Sequence, residues 1–294
     1  MSNKSILFRP SQYFNPTDIS EAVTLLSKFG ESARPIAGGT DLILEQDPRV
    51  KVLVDLSSLG LSYIKNKSEG VVIGASTLFS EIESSPILEK IPYRSLSYAA
   101  SLVGTPQIRN MGTIGGNICR PSPCADTAPV LLALNATLKI IGPGGKRELN
   151  VSNFFKDMNK DALVPGELVM EIYLPAFPQR TGSSFIKMGR VVVGDLSLVS
   201  VAICLVMSEE DTCAEVRIAL GSVAPIPIRV KGAESILVGK KPEETLLEQV
   251  SLAAAEEIQP ISDVRASAEY RRNLSRVLVK RALENALAQI VKHT

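Results

Sequence analysis

Two stretches decide how this chain is read: Pro35-Ile36-Ala37-Gly38-Gly39-Thr40-Asp41-Leu42 and Asn110-Met111-Gly112-Thr113-Ile114-Gly115-Gly116-Asn117. Each carries a Gly-Gly pair among apolar and small polar residues. Glycine adopts positive φ without strain and has no Cβ, so backbone N–H groups can close around an anion. Successive free N–H groups form a concavity that suits phosphate oxygens. Thr40 and Thr113 add hydroxyl donors. One Gly-Gly pair alone reads as a tight turn; two such turns suit a pyrophosphate held between them. Neither stretch is G-x-G-x-x-G or G-x-x-x-x-G-K-[ST], so a Rossmann or P-loop site is not indicated.

Working outward, residues 11–30 open with a helix. Asp18 and Glu21 have capping-box spacing. Ile19, Ala22, Val23, Leu26 and Phe29 fall on one face, and Gly30 is a stop. Residues 34–37, 50–56 and 70–73 read as strands. Residues 77–83 and 93–103 read as helices, the second ended by Gly104 and Pro106. Asp126 with Pro129 starts another helix. Residues 136–141 and 147–150 flank Gly142-Pro143-Gly144-Gly145, a hairpin signal. Residues 168–174 form a strand closed by Pro175. Periodicity lapses over 176–184, around Pro178 and Gly182, and marks a boundary. Beyond it, strands over 197–208 and 214–221 are joined by Glu209-Glu210-Asp211-Thr212, and helices follow over about 243–258 and 266–293. The pattern predicts an α+β chain. A domain over 1–176, divided near 57–60, precedes a smaller sheet-plus-helices domain over 177–294.

Composition narrows the function. The 294 residues hold 32 Lys+Arg and 31 Asp+Glu, a net charge of +1, without the basic surplus of a nucleic-acid binder. The single histidine, His293, stands next to the end of the sequence. A Ser-His-Asp or Cys-His site would rest on it alone, and a His-rich zinc or iron site is excluded. Cys119, Cys124, Cys204 and Cys213 form neither a C-x-x-C pair nor a dense disulfide framework, and read as reduced packing or loop residues. No catalytic residue and no metal ligand is therefore nominated. Met1 to Asn15 holds no apolar run of signal-peptide type, and no run reaches the ~18 apolar residues of a membrane span. The expectation is a soluble, cytoplasmic protein.

Pro106-Gln107-Ile108-Arg109-Asn110 followed by Gly112-Thr113-Ile114-Gly115-Gly116-Asn117-Ile118 resembles the flavin subunit of molybdenum hydroxylases. That family includes xanthine dehydrogenase, nicotinate dehydrogenase and aerobic carbon monoxide dehydrogenase. The first glycine stretch, Cys124-Ala125-Asp126-Thr127-Ala128-Pro129, the pattern over 189–202 and Ala224-Pro225-Ile226-Pro227-Ile228-Arg229 are similar to it too. The likeness runs over about residues 8–290. It implies a vanillyl-alcohol-oxidase-type FAD-binding domain followed by a domain of antiparallel sheet plus helices. It implies Ile36, Ala37, Gly38, Gly39, Thr40, Asp41 and Leu42 around the FAD pyrophosphate, and Thr113, Ile114, Gly115, Gly116 and Asn117 on its other side. It further implies Val103 beside the isoalloxazine ring, Asp126 at the nucleotide portion, Val169 packed near the flavin, and Lys187 approaching from the second domain. Plainer readings stand beside these: Val103 and Val169 as core, Asp126 as a helix N-cap, Lys187 as a solvated lysine, and Asp41 as a turn residue.

The same resemblance implies one subunit of a heteromer. A small subunit would carry two 2Fe–2S clusters and a large subunit the molybdopterin, in a dimer of heterotrimers, with FAD the cofactor of this chain. Two other readings follow from the residues: a free-standing flavin oxidoreductase of the same fold, and a non-enzymic nucleotide-binding module. The absence of a histidine for covalent flavin attachment counts against the first, and the two intact glycine stretches against the second.

Overall fold

The computed structural model describes residues 9–120, 122–158, 160–191 and 194–291. His293, like Val192 and Val193 in the 189–202 pattern, lies outside them. The mixed α+β architecture expected from the sequence is present.

The chain begins with β1 (Gln12–Phe14), α1 (Ile19–Phe29), β2 (Ala33–Ile36), the short helix α2 (Leu42–Glu45) and β3 (Val52–Asp55). The Asp18 carboxylate accepts the Ser20 and Glu21 N–H groups and starts α1, and Gly30, at φ +51, ends it. Ala22, Val23 and Leu26 then face Val52 and Val54 of a parallel sheet ordered β1-β3-β2. The sequence pattern misses β1, because three residues with no buried face carry no alternation.

A second sheet follows, opened by β4 (Ile64–Lys67) and β5 (Gly70–Gly74). Five helices come next: α3 (Phe79–Glu83), α4 (Arg94–Ser101), α5 (Pro106–Arg109), α6 (Ile114–Ile118) and α7 (Thr127–Ala133). The chain then returns through β6 (Thr137–Gly142), β7 (Gly145–Asn150), the small ribbon β8 (Phe155–Asp157) and β9 (Lys160–Asp161), and β10 (Leu168–Pro175). The sheet is antiparallel in the order β4-β5-β10-β6-β7. β10 bulges between Val169 and Glu171. All seven residues of α7 are buried, which is how a continuous apolar run becomes a core helix. α3 starts at Phe79 and not at Thr77, because the Glu81 side chain reaches back to the Leu78 N–H.

The last sheet is β11 (Thr181–Met188), β12 (Val199–Met207), β13 (Cys213–Gly221) and β14 (Ile228–Arg229), antiparallel in sequence order. One face carries Val199, Val201, Ile203 and Leu205 against α8 (Lys231–Leu237), α9 (Glu244–Glu257) and α10 (Ala268–Val291). The other face carries Phe185, Ala202, Cys204 and Ala219 into the core that α4 and α7 share. β11 corrects the sequence reading, which left 176–184 without structure. A methyl on Gly182 would sit 2.0 Å from the Ala286 carbonyl oxygen, so α10 crosses directly over this strand. Small residues are required there, and they erase the alternation that marks a strand. The Gln289 amide bonds both the N–H and the C=O of Ser183, capping this edge as a neighbouring strand would.

Among the described residues no helix is long and apolar enough to cross a membrane. Arg271, 1% exposed, pins α10 to the ends of β12 and β13: it donates to the Leu198 and Ser222 carbonyls and pairs with Asp263 at 2.9 Å. Arg271→Ala leaves the Leu198 and Ser222 carbonyls without this donor and should cost about 1–3 kcal/mol of stability, seen as a lower urea midpoint.

Candidate functional site

The first glycine stretch leaves β2 at Ile36, whose carbonyl accepts the Leu56 N–H. The N–H groups of Ala37, Gly38, Gly39, Thr40, Asp41 and Leu42 then donate to no acceptor among the described residues. Gly39 turns the chain at φ +66, and the Gly39 and Asp41 carbonyls start α2 by accepting from Ile43, Leu44 and Glu45. Five of these residues are half-buried and Asp41 is exposed, so the donors are open to a ligand as they are to water. A run of six is the donor set an anion needs. Asp41 itself is exposed, and its carboxylate faces Arg120 at 3.6 Å; Arg120 also pairs with Glu45. Arg120 was not among the expected residues, and a lone arginine between loops carries no sequence signal.

The two stretches meet. A Cβ on Gly38 would lie 1.8 Å from the Met111 carbonyl oxygen, so the first loop rests backbone-on-backbone against the second.

The second stretch differs from the first. It is the start of α6, and its N–H groups are spent inside the chain. Ile114 donates to Thr77 O at 3.1 Å, Gly115 to Ala75 O at 2.8 Å and Asn117 to Thr113 O at 3.0 Å. Gly116 donates to the Thr113 hydroxyl oxygen at 3.1 Å, an N-cap. The expectation of a second row of free N–H groups is thereby corrected. Gly115 is needed for close packing instead, since a Cβ there would come within 2.6 Å of the Ala75 carbonyl oxygen. Two polar groups remain for a ligand. The Thr113 hydroxyl accepts from Gly116 and keeps its own hydrogen to donate. Asn117 takes the Thr127 hydroxyl on its oxygen at 2.6 Å, which leaves its amide nitrogen free to donate.

Asp126 and Lys187 find each other. Lys187 Nζ lies 2.6 Å from Asp126 Oδ2 and donates to the Leu102 carbonyl at 3.0 Å, one residue before half-buried Val103. Asp126 is buried and the Lys187 side chain is nearly so, 10% exposed. Asp126 occupies the N-cap position of α7, yet its side chain does not cap the helix, and its Oδ1 is buried without a hydrogen-bond partner. Burial pushes its carboxyl up, to about 6, against the opposing pull of the Lys187 ammonium. Val169 lies at the β10 bulge, 4% exposed and within the apolar core. The next residue, Met170, accepts the Ala75 N–H and so joins the bulge to the seat of α6.

Comparison with known proteins bears on this site. The chain matches the family described as "FAD binding domain in molybdopterin dehydrogenase" over residues 8–177, and "CO dehydrogenase flavoprotein C-terminal domain" over residues 183–286. It is 34% identical over 287 residues to the carbon monoxide dehydrogenase medium chain of Hydrogenophaga pseudoflava, covering 95% of this chain and 97% of that one. It is 30% identical to the xanthine dehydrogenase FAD-binding subunit of Escherichia coli O157:H7, covering 96% and 98%. The crystal structure of the Hydrogenophaga pseudoflava carbon monoxide dehydrogenase lacking the Mo-pyranopterin moiety contains a chain that superposes with a TM-score of 0.90 at 33% identity, covering 95% and 98%.

The Asp126–Lys187 pair sets a pH dependence. The Asp126 carboxyl titrates at about 6 when folded and near ~3.9 when unfolded. Between those values the folded chain holds a proton that the unfolded chain has lost, so this group's contribution to stability falls as pH rises through that window. Asp126→Asn should flatten that part of the profile, checked by urea midpoints between about pH 4 and about pH 7. Lys187→Met, which strands the carboxylate, should cost about 3–5 kcal/mol, and most of it should return in the Asp126→Asn, Lys187→Met double variant.

Proposed function

The chain belongs to the FAD-binding family of molybdopterin dehydrogenases, and from that footing we propose that it is the flavin-carrying electron-transfer subunit of a heteromeric molybdenum hydroxylase. One observation carries the assignment to this site: six adjacent backbone N–H groups, from Ala37 to Leu42, without an acceptor among the described residues. They fit a pyrophosphate; glycine at 38 lets the loop rest on the Met111 carbonyl, and glycine at 39 supplies the positive φ of the turn that carries them.

In this reading Ile36, Ala37, Gly38, Gly39, Thr40, Asp41 and Leu42 hold the FAD pyrophosphate. The Thr113 hydroxyl and the Asn117 amide donate from the other side, while Ile114, Gly115 and Gly116 keep α6 seated. Val103 and Val169 offer apolar contact for the isoalloxazine ring. The unpartnered Asp126 Oδ1 is the acceptor left for the nucleotide portion, and Lys187 holds Asp126 in place. Held by these residues, FAD would supply the redox chemistry of an electron-transfer subunit placed between the 2Fe–2S clusters of a small partner subunit and an external acceptor. This chain's own residues bind and orient; no side chain here is assigned a proton transfer.

The proposal includes a large molybdopterin subunit that holds the substrate, a dimer of heterotrimers, and a cytoplasmic location. It divides the chain into an FAD-binding domain over 1–176, with subdomains meeting near 57–60, and a C-terminal domain over 177–294. Near-complete coverage of both chains in the medium-chain and FAD-binding-subunit comparisons supports the reading of this chain as one subunit of such an assembly.

Gly39→Asp tests the site. A Cβ at Gly39 would meet only Ile36 and Ile43 side-chain atoms, the nearest at 3.2 Å, and Asp tolerates positive φ better than most residues. The fold should survive. A carboxylate about 4 Å from a phosphate costs about 4 kcal/mol at an effective dielectric of 20, roughly three orders of magnitude in affinity. The variant should purify without the visible flavin bands; bands at wild-type strength in a folded variant defeat the assignment. The flavin-loaded chain freed of its partners should also fail to bleach when mixed anaerobically with a purine, an aldehyde or a nicotinate-like ring. Bleaching would make it a self-contained flavin dehydrogenase.

A further inference from the structure

Thr77 lies outside both glycine stretches, is 1% exposed, and is bonded on every side. Its hydroxyl accepts the Tyr63 N–H and donates to the Tyr63 carbonyl, both at 3.1 Å. Its backbone N–H is engaged with Gly74, and its carbonyl takes the Ile114 N–H at 3.1 Å. Its neighbours extend the same contact: the Ala75 carbonyl takes the Gly115 N–H at 2.8 Å, and the Phe79 N–H donates to the Gly112 carbonyl at 3.0 Å. Residues 75–79 are therefore a rail between two partners. On one side the backbone fastens to residues 112–115. On the other, where the backbone of Thr77 has nothing left to offer, its hydroxyl stands in for the missing ladder bond to Tyr63.

We propose that Thr77 is a positioning residue for cofactor binding: its hydroxyl ties the rail to the chain entering β4, and so fixes the height at which the second glycine stretch meets the first. The consequence follows from Met111. That residue immediately precedes Gly112, which the rail holds, and its carbonyl is the surface on which Gly38 rests. A rail that shifts by a few tenths of an ångström moves the support under the N–H row of 37–42 and the Thr113 hydroxyl together. Valine at 77 keeps the shape of threonine but neither donates nor accepts, and it leaves the Tyr63 N–H unpaired; the Tyr63 carbonyl still has the Gly74 N–H, at 2.9 Å. Serine keeps the hydroxyl.

The inference rests on the FAD reading, and the two fail separately: a wild-type protein without flavin sinks that reading, whereas a flavin-loaded wild type indifferent to Thr77 sinks only this one. The test strips FAD from the full chain, purified with whatever subunits accompany it, and titrates it back well below the melting temperature. Thr77→Val should raise the Kd for FAD about tenfold by misplacing the donors of both stretches, and Thr77→Ser should stay within about twofold of wild type. Ile73→Val, in the fully buried part of β5, separates position from mere stability: it should lower the melting temperature and leave the Kd unchanged. A wild-type Kd for Thr77→Val overturns the proposal, as does an equal rise for Ile73→Val or a failure of serine to rescue. Should the valine variant not fold, amide exchange on the wild type decides. FAD should slow exchange of the Tyr63, Ile114 and Gly115 N–H groups together, and an unmoved Tyr63 N–H overturns the proposal.

Discussion

Gly38 lies on the Met111 carbonyl with no space for a methyl group, and the candidate site depends on that backbone-to-backbone contact. It joins a loop leaving the parallel three-stranded sheet to a segment seated on the antiparallel five-stranded one. Side chains between them would hold the two apart by several ångströms. Without the contact, the stretch that carries the unpaired N–H groups of 37–42 and the stretch that carries Thr113 would not lie against each other. The glycines of the second stretch meet the same demand one layer deeper, where Gly115 lies on Ala75. One residue type thus serves two ends: at 39 it turns the loop at positive φ, and at 38 and 115 it lets backbone lie directly on backbone.

The C-terminal sheet is part of this arrangement. One face closes on α8, α9 and α10; the other joins the apolar core of the first part of the chain and adds polar contacts to it. The Ser183 hydroxyl donates to the Pro92 carbonyl, the Ser222 N–H to the Pro123 carbonyl, and Lys187 pairs with Asp126. A buried ion pair adds little net stability compared with apolar packing. Its value here is geometric. An ammonium with a single carboxylate and a single carbonyl to satisfy holds β11 at one place against α7. Val103, next to the Leu102 carbonyl that Lys187 also holds, is fixed relative to both.

The family likeness and this geometry agree in different ways. Comparison shows that chains of this length and pattern are medium or FAD-binding subunits of molybdenum-containing dehydrogenases. The structure adds which atoms are left open to a ligand. It divides the expected residues into those with donors to spare (37–42, Thr113 and Asn117), those that seat the others (Ile114, Gly115 and Gly116), and a buried pair, Asp126 and Lys187, that satisfies itself except at one carboxylate oxygen.

Much of this was legible in the linear chain. α1 follows from an aspartate cap and a 3.6-residue apolar stripe, the β6–β7 hairpin from a Gly-Pro-Gly-Gly turn, and β12 and β13 from apolar runs around an acidic turn. The glycine stretches follow from composition alone. These are local signals, set by residues within one or two turns of each other, and local chemistry suffices to read them. What the linear chain did not show depends on distant neighbours. β11 hides its alternation because α10 lies on its glycine and serines. Thr77 reads as the start of a helix until Tyr63 is seen to occupy its hydroxyl. The two glycine stretches look equivalent until Thr77 and Ala75 take up the N–H groups of one and nothing takes up those of the other. Sequence alone determined which residues could free a backbone donor, since that is a property of glycine; whether a donor stays free depends on which carbonyl lies opposite, and only the tertiary structure brings that carbonyl into place.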